Sequence, residues 1–182
     1  MDNVQPLRPK TGRLTIVFLV FFAAAIAIGS AVSRNDDTAG TTFGGPMEGE
    51  VAPQIQLTAF NGDDWTLSEY LQEDGRPLFV NLWASWCEPC RREIPDLSAF
   101  ASAHPEYQIV GVAVRDTVEA ARAMAEELAP SYLIGIDALG TVRDDYLGFG
   151  LPATFLIDST GVVTAQIEGP VTVEILEELT TG

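Results

Sequence analysis

Trp86-Cys87-Glu88-Pro89-Cys90 holds both cysteines of the 182-residue chain, two residues apart. The pair follows an apolar run, Leu78 to Trp83, and precedes a polar stretch with helical spacing, Arg91 to Ala103. Thiols at i and i+3 on the first turn of a helix share a face and lie close enough to form a disulfide. The free N–H groups and partial positive charge of a helix N-terminus favour thiolate at the first cysteine. Thiolate is the form that attacks a disulfide sulfur, so the spacing suits thiol–disulfide exchange. A purely structural disulfide is the weaker reading, because so short a loop removes little entropy from the unfolded chain. A zinc site wants about four ligands. The one further strong candidate, the lone histidine His104 beside Pro105, reads as a surface residue at a helix end. No metal is expected, and no cofactor beyond the redox-active Cys87–Cys90 pair.

The elements that must hold this pair follow from pattern. Leu78 to Trp83 reads as a buried strand, and Ile109 to Val114 as a second one covered on both faces. Thr117 to Leu128 has helical spacing, Tyr132 to Ile136 reads as a short strand, and Val142 to Tyr146 as a helical turn. Ala153 to Ile157 and Val162 to Ile167 are strands joined by the turn Asp158-Ser159-Thr160-Gly161, and Val171 to Leu179 closes the chain as a helix. Upstream, Val51 to Leu57 reads as a strand, Asn61-Gly62 as a hairpin turn, and Leu67 to Leu71 as a short helix. Strands alternating with helices and then a terminal hairpin predict an α/β fold, a central mixed sheet with helices on both faces.

Leu14 to Ser33 is a run of twenty residues without a charge, long enough to span a bilayer as a helix. Arg8, Lys10 and Arg13 precede it and Asp36 and Asp37 follow. The positive-inside rule then keeps 1–13 cytoplasmic, makes 14–33 a transmembrane signal anchor and exports the rest. A cleaved signal peptide ending near Ala31-Val32-Ser33 is the alternative, although its apolar region is usually shorter, about 7–15 residues. With no cysteine near, a lipid-anchored lipoprotein is excluded. Residues 34–49, rich in Gly, Thr and Asp, read as a flexible linker to a domain over 50–182. Beyond Arg34 stand six arginines and 25 acidic residues, a balance of −19. Such a field repels nucleic acid and anionic membrane surfaces, so no nucleic-acid partner is expected.

The segment Phe79-Val80-Asn81-Leu82-Trp83-Ala84-Ser85-Trp86-Cys87-Glu88-Pro89-Cys90-Arg91-Arg92-Glu93-Ile94-Pro95 resembles the active-site region of the thioredoxin superfamily. It is most similar to the membrane-anchored, extracytoplasmic TlpA/ResA-like branch. Gly150-Leu151-Pro152-Ala153-Thr154-Phe155-Leu156-Ile157-Asp158 resembles the second signature of that family, in which the bond before the proline is cis. The resemblance covers roughly residues 50 to 180. It implies a thioredoxin fold with an N-terminal β-hairpin extension, a strand–helix insertion over Asp116 to Ile136, and dithiol–disulfide oxidoreductase activity.

By this resemblance Cys87 is the exposed nucleophile and Cys90 the shielded thiol that resolves the mixed disulfide. Trp86, Glu88, Pro89, Leu151 and Pro152 are the expected substrate-binding residues. Where ordinary thioredoxins have a buried aspartate, this chain has Asn81, which cannot take a proton. Glu93, one turn past Cys90, matches the glutamate of the ResA-like branch and is the third expected catalytic residue; burial raises the pKa of such a group. Glu88 beside Cys87 opposes its thiolate, a lean toward a reducing couple. The resemblance further implies disulfide-containing exported proteins as clients, apocytochrome c among them, and a membrane thiol-reductant transporter as electron donor. A disulfide oxidase or isomerase, and a non-catalytic binding module, are the competing readings. Peroxidase chemistry is disfavoured, because the Thr-x-x-Cys pattern of peroxiredoxins is missing.

Overall fold

Every residue of the run 78–83 is buried, yet its two faces are different. Leu78, Val80 and Leu82 enter one apolar cluster. Phe79 and Trp83 enter two others. Side chains alternate across a strand, so these clusters lie on opposite faces of the sheet. Asn81 falls between Phe79 and Trp83, the one polar residue on its face of the run.

The computed structural model describes residues 40–146 and 149–181. In chain order the strands are β1 (Thr42–Phe43), β2 (Gln56–Ala59), β3 (Asp64–Thr66), β4 (Leu78–Trp83), β5 (Gln108–Ala113), β6 (Leu133–Asp137), β7 (Ala153–Ile157) and β8 (Val163–Glu168). The helices are α1 (Leu67–Glu73), α2 (Glu88–Ala103), α3 (Val118–Leu128), α4 (Val142–Asp145) and α5 (Val173–Thr180). The strands form one sheet in the order β1-β8-β7-β4-β5-β6-β2-β3. β4, β5 and β6 are parallel, and the remaining pairs are antiparallel.

The helices divide between the two faces as the pattern of the strands demands. Leu67 and Tyr70 of α1 and Val142 of α4 join the cluster of Leu78, Val80 and Leu82. Leu97 and Phe100 of α2 and Ile175 and Leu176 of α5 pack with Phe79. Cys90 and Ile94 of α2 pack with Trp83 and with Ala121, Met124 and Ala125 of α3. α2 follows β4 in the chain and is capped at its far end by His104, whose N–H donates to the Phe100 carbonyl. The His104 ring stacks on Phe100 and pairs with Glu106 and Glu177, an end-cap setting remote from the cysteines.

Most expected elements appear within one or two residues of their predicted bounds. The strand expected over Val51 to Leu57 begins later, at Gln56, and Val51 makes only an isolated bridge to Val162. Pro53 between them has no N–H to give a ladder. The expected linker 34–49 is docked from Gly40 onward. Thr42–Phe43 pairs with β8, and Met47 is buried with its N–H on Gln166 Oε1 at 3.1 Å. Gly45 owes its presence to packing, since a Cβ there would stand 2.2 Å from the Gln166 side chain. The composition of a spacer thus conceals an edge strap. The expected cytoplasmic and transmembrane segments, 1–13 and 14–33, lie outside the described residues.

Candidate active site

Cys87 occupies the N-cap of α2 with an extended backbone, and its sulfur accepts the Cys90 N–H at 3.2 Å. A sulfur thus does what a serine or aspartate oxygen does at most helix starts. Pro89 follows within the first helical turn, where its missing N–H costs no hydrogen bond. The two sulfurs are bonded to each other, with the Cα atoms 5.3 Å apart. Cys90 is fully buried. Cys87, expected to be exposed, is also largely covered in this oxidised state. It belongs to the apolar cluster of Trp83, Ala84 and Ile94, against which Leu151 packs. Trp86 beside it is 63% exposed.

Two loops hold this entrance in place. The Leu151–Pro152 bond is cis and Pro152 is buried, with its carbonyl accepting the Gly169 N–H at 2.9 Å. On the other side, the Asp116 carboxylate accepts both the N–H and the hydroxyl of Ser85. Arg115 has a left-handed backbone, φ 52°, which a residue with a Cβ seldom adopts without a cause. Its carbonyl accepts the Trp86 indole N–H at 3.3 Å. Glu88 points into solvent, and its carboxylate lies 3.6 Å from Arg92 one turn on, which offsets part of its charge beside Cys87.

Beneath the disulfide the chemistry changes from apolar to polar. Asn81 stands opposite Thr154 in the β4–β7 register, and its Nδ2 donates to Thr154 Oγ1 at 3.1 Å and to Glu93 Oε1 at 2.8 Å. The second Glu93 oxygen accepts the Val171 N–H at 2.9 Å. Glu93 is 2% exposed. Burial pushes its pKa up to about 8, against the pull of the Asn81 and Val171 bonds, and Asp96 adds repulsion. The buried Tyr132 hydroxyl is pushed far up, first by burial and then by the charge of Glu93. Among the described residues neither Tyr132 Oη nor Asn81 Oδ1 has a hydrogen-bond partner. A carboxyl group that titrates near neutrality, one helical turn from Cys90, is suited to exchanging a proton with that thiol.

All eight expected site residues come together at this end of the sheet or on the first turns of α2. Sequence reasoning missed Asp116 and Arg115, Thr154 as a partner of Asn81, Tyr132, and the Val171 N–H. Asp116 carried one readable signal, since it lies three residues past the end of a buried strand and directly before a helix N-cap at Thr117. Val171 carried none, because its contribution is made by the main chain.

Residues 49–166 match the model of the AhpC/TSA family. Over 170 residues the chain is 31% identical to the thiol-disulfide oxidoreductase ResA of Geobacillus kaustophilus, covering 92% of this chain and 94% of that one. It is likewise 31% identical over 165 residues to the thiol:disulfide interchange protein HelX of Rhodobacter capsulatus, covering 88% and 90%. Among solved structures, the thioredoxin domain of a thiol-disulfide oxidoreductase from Bacteroides vulgatus superposes with a TM-score of 0.64 at 24% identity. That likeness covers 74% of this chain and 95% of the other, and it shows the thioredoxin fold.

Proposed function

Since the chain belongs to the AhpC/TSA family of thioredoxin-fold proteins, we propose that it is a thiol–disulfide oxidoreductase that reduces disulfides of exported proteins from a membrane tether. The observation that carries this reading is the Cys87–Cys90 disulfide on the first turn of α2, packed in one cluster with Leu151 of the cis-proline loop. The fold alone supports many chemistries; the dithiol at this position is what selects exchange.

In the reducing direction, the Cys87 thiolate attacks one sulfur of a client disulfide and the other client sulfur leaves as thiolate, taking up a proton. Cys90 then loses its proton and attacks Cys87 Sγ, releasing the second client thiol and leaving Cys87–Cys90 oxidised. Ionised Glu93 is the acceptor for the Cys90 proton, because Asn81 at the base of the helix has no basic atom. Trp86, exposed beside Cys87, and the Leu151–Pro152 loop supply an apolar surface and backbone groups for an extended client segment. Glu88 and Pro89 lie on the same rim. The disulfide of a CxxCH segment in apocytochrome c is the client suggested by the resemblance, with electrons returned through a membrane thiol transporter. The charge-free run 14–33 with its preceding cationic residues supports a tether that leaves this domain outside the cytoplasm.

Redox titration of the full chain tests direction. Thioredoxin and DsbA lie near −270 and −120 mV, a gap of roughly 150 mV or roughly 7 kcal/mol. A value near the first supports the reductase. A value near the second overturns it in favour of an oxidase. Cys90→Ser supplies the second arm, since it should hold clients as mixed disulfides on Cys87; recovery of no thiol-linked client from envelope extracts contradicts exchange with exported proteins.

A further inference from the structure

The connector between β8 and α5, residues 169–171, is hydrogen-bonded to three parts of the molecule through its backbone, while the Val171 side chain is buried in the cluster of Phe79 and Phe100. The Gly169 N–H donates to the carbonyl of cis-Pro152 at 2.9 Å. The Pro170 carbonyl accepts the Thr41 hydroxyl at 2.7 Å. The Val171 N–H donates to Glu93 Oε2 at 2.9 Å. The last two groups belong to one planar amide, so Thr41 and Glu93 hold opposite ends of the same peptide unit.

Thr41 immediately precedes β1, whose residues Thr42 and Phe43 pair with Glu168 and Ile167. The approach is close. Gly169 has φ 101°, and a Cβ there would lie 2.7 Å from the Gly40 carbonyl oxygen and 2.9 Å from Thr41 Cα. A glycine is required both for that backbone conformation and for the space. The strap is therefore seated directly on the connector that holds the buried carboxylate.

A hydrogen bond to an amide carbonyl polarises the amide and makes its N–H a better donor. We propose that Thr41 is a positioning residue for Glu93, acting through the Pro170–Val171 peptide group, so that docking of the N-terminal strap tunes proton transfer at Cys90. The proposal rests on the reading of Glu93 as the acceptor for Cys90. The other groups facing Glu93 are the Asn81 amide from β4, the Tyr132 phenol ahead of β6, and Asp96 on its own helix. Thr41 carries no charge, so its removal leaves their fields unchanged and alters only the strength of the Val171 donor.

The test is a pH titration of the Glu93 carboxyl carbon by NMR in the full chain, the signal being assigned by its loss in Glu93→Gln. Thr41→Val keeps the shape and removes the hydroxyl. It is expected to raise the Glu93 midpoint by roughly 0.3 pH unit, the scale of a modest loss of cooperative strengthening in a charge-assisted bond. Thr41→Ser keeps the hydroxyl and is expected to titrate with the parent. An unchanged midpoint in Thr41→Val overturns the proposal. So does an equal shift in Thr41→Val and Thr41→Ser, which would assign the effect to packing of the strap. The titration needs no turnover. A shifted Glu93 with an unshifted pH profile for Cys90 would keep the Thr41–Glu93 link and reject the role of Glu93 at Cys90.

Discussion

Two glutamates on the first two turns of α2 have opposite surroundings. The Glu88 side chain is 70% exposed and leans on Arg92 in solvent. Glu93 is buried, held by an amide and a backbone N–H, and titrates near 8. The rim beside Glu88 is apolar, with Trp86 exposed, Pro89 and Leu151 half-buried, and Pro152 buried behind them. The floor around Glu93 is polar and closed, built from Asn81, Thr154, Tyr132 and the connector 169–171. The same residue type does different work in the two places. At the rim a charge is screened by water and by Arg92 and barely alters Cys87. On the floor the same charge has no water to screen it, so each hydrogen bond around it bears on the Cys90 proton.

The largest break in this comparison is Cys87→Ser. Insulin reduction by the full chain with dithiothreitol as electron donor should fall by roughly a thousandfold or more, since the rim then lacks a nucleophile. Retained activity would remove the rim from the account.

Next in size is the linkage between Glu93 and stability. Its folded-state pKa of about 8 stands above the ordinary 4.5. Between those pH values the unfolded chain gives up a proton that the folded chain keeps. This group therefore lowers stability as pH rises from 4.5, and its contribution levels off above about 8. The full span is on the order of 5 kcal/mol at ~1.4 kcal/mol per pH unit. Denaturant midpoints against pH should show this fall in the parent and lack it in Glu93→Gln; parallel curves would mean that Glu93 is solvated.

Smaller effects should separate the rim from the floor. Trp86→Ala should raise KM for a protein disulfide by about tenfold, as expected for an exposed aromatic anchor, while a small aromatic disulfide reacts at the parent rate. Equal losses on both substrates would make Trp86 a support for the cysteines instead of a contact for clients. The smallest effect is expected from Glu88→Gln, a change in exchange rate of about twofold or less that fades in high salt. A change as large as that of Glu93→Gln would erase the distinction between the two glutamates.

The rim was far more legible in the sequence than the floor. Cys87, Cys90 and Pro152 sit in short contiguous motifs, and β4 and α2 follow from an apolar run and a helical period. Asn81 and Glu93 were visible as a pair because both lie inside one seventeen-residue motif, Phe79 to Pro95. Their other partners come from distant chain segments. Thr154 is 73 residues from Asn81, and the Val171 N–H is 78 residues from Glu93 and has no side-chain signature. The strap is hidden in the sequence for a related reason. Glycine and threonine in 40–45 look like spacer residues, yet Gly45 lies against the buried Gln166 side chain, and Gly40 and Thr41 lie against Gly169. Periodicity reports which face is buried and says nothing of main-chain donors that cross it.

The most direct measurement is the rate at which Cys90 displaces a coloured aromatic thiol from Cys87, followed against pH in a single turnover of the full chain. The account predicts a parent rate that rises with a midpoint near 8. In Glu93→Gln it predicts loss of that inflection and a rate lower by roughly a hundredfold at pH 8 and above, the lower end of general-base contributions. Superimposable profiles for the two proteins would contradict it.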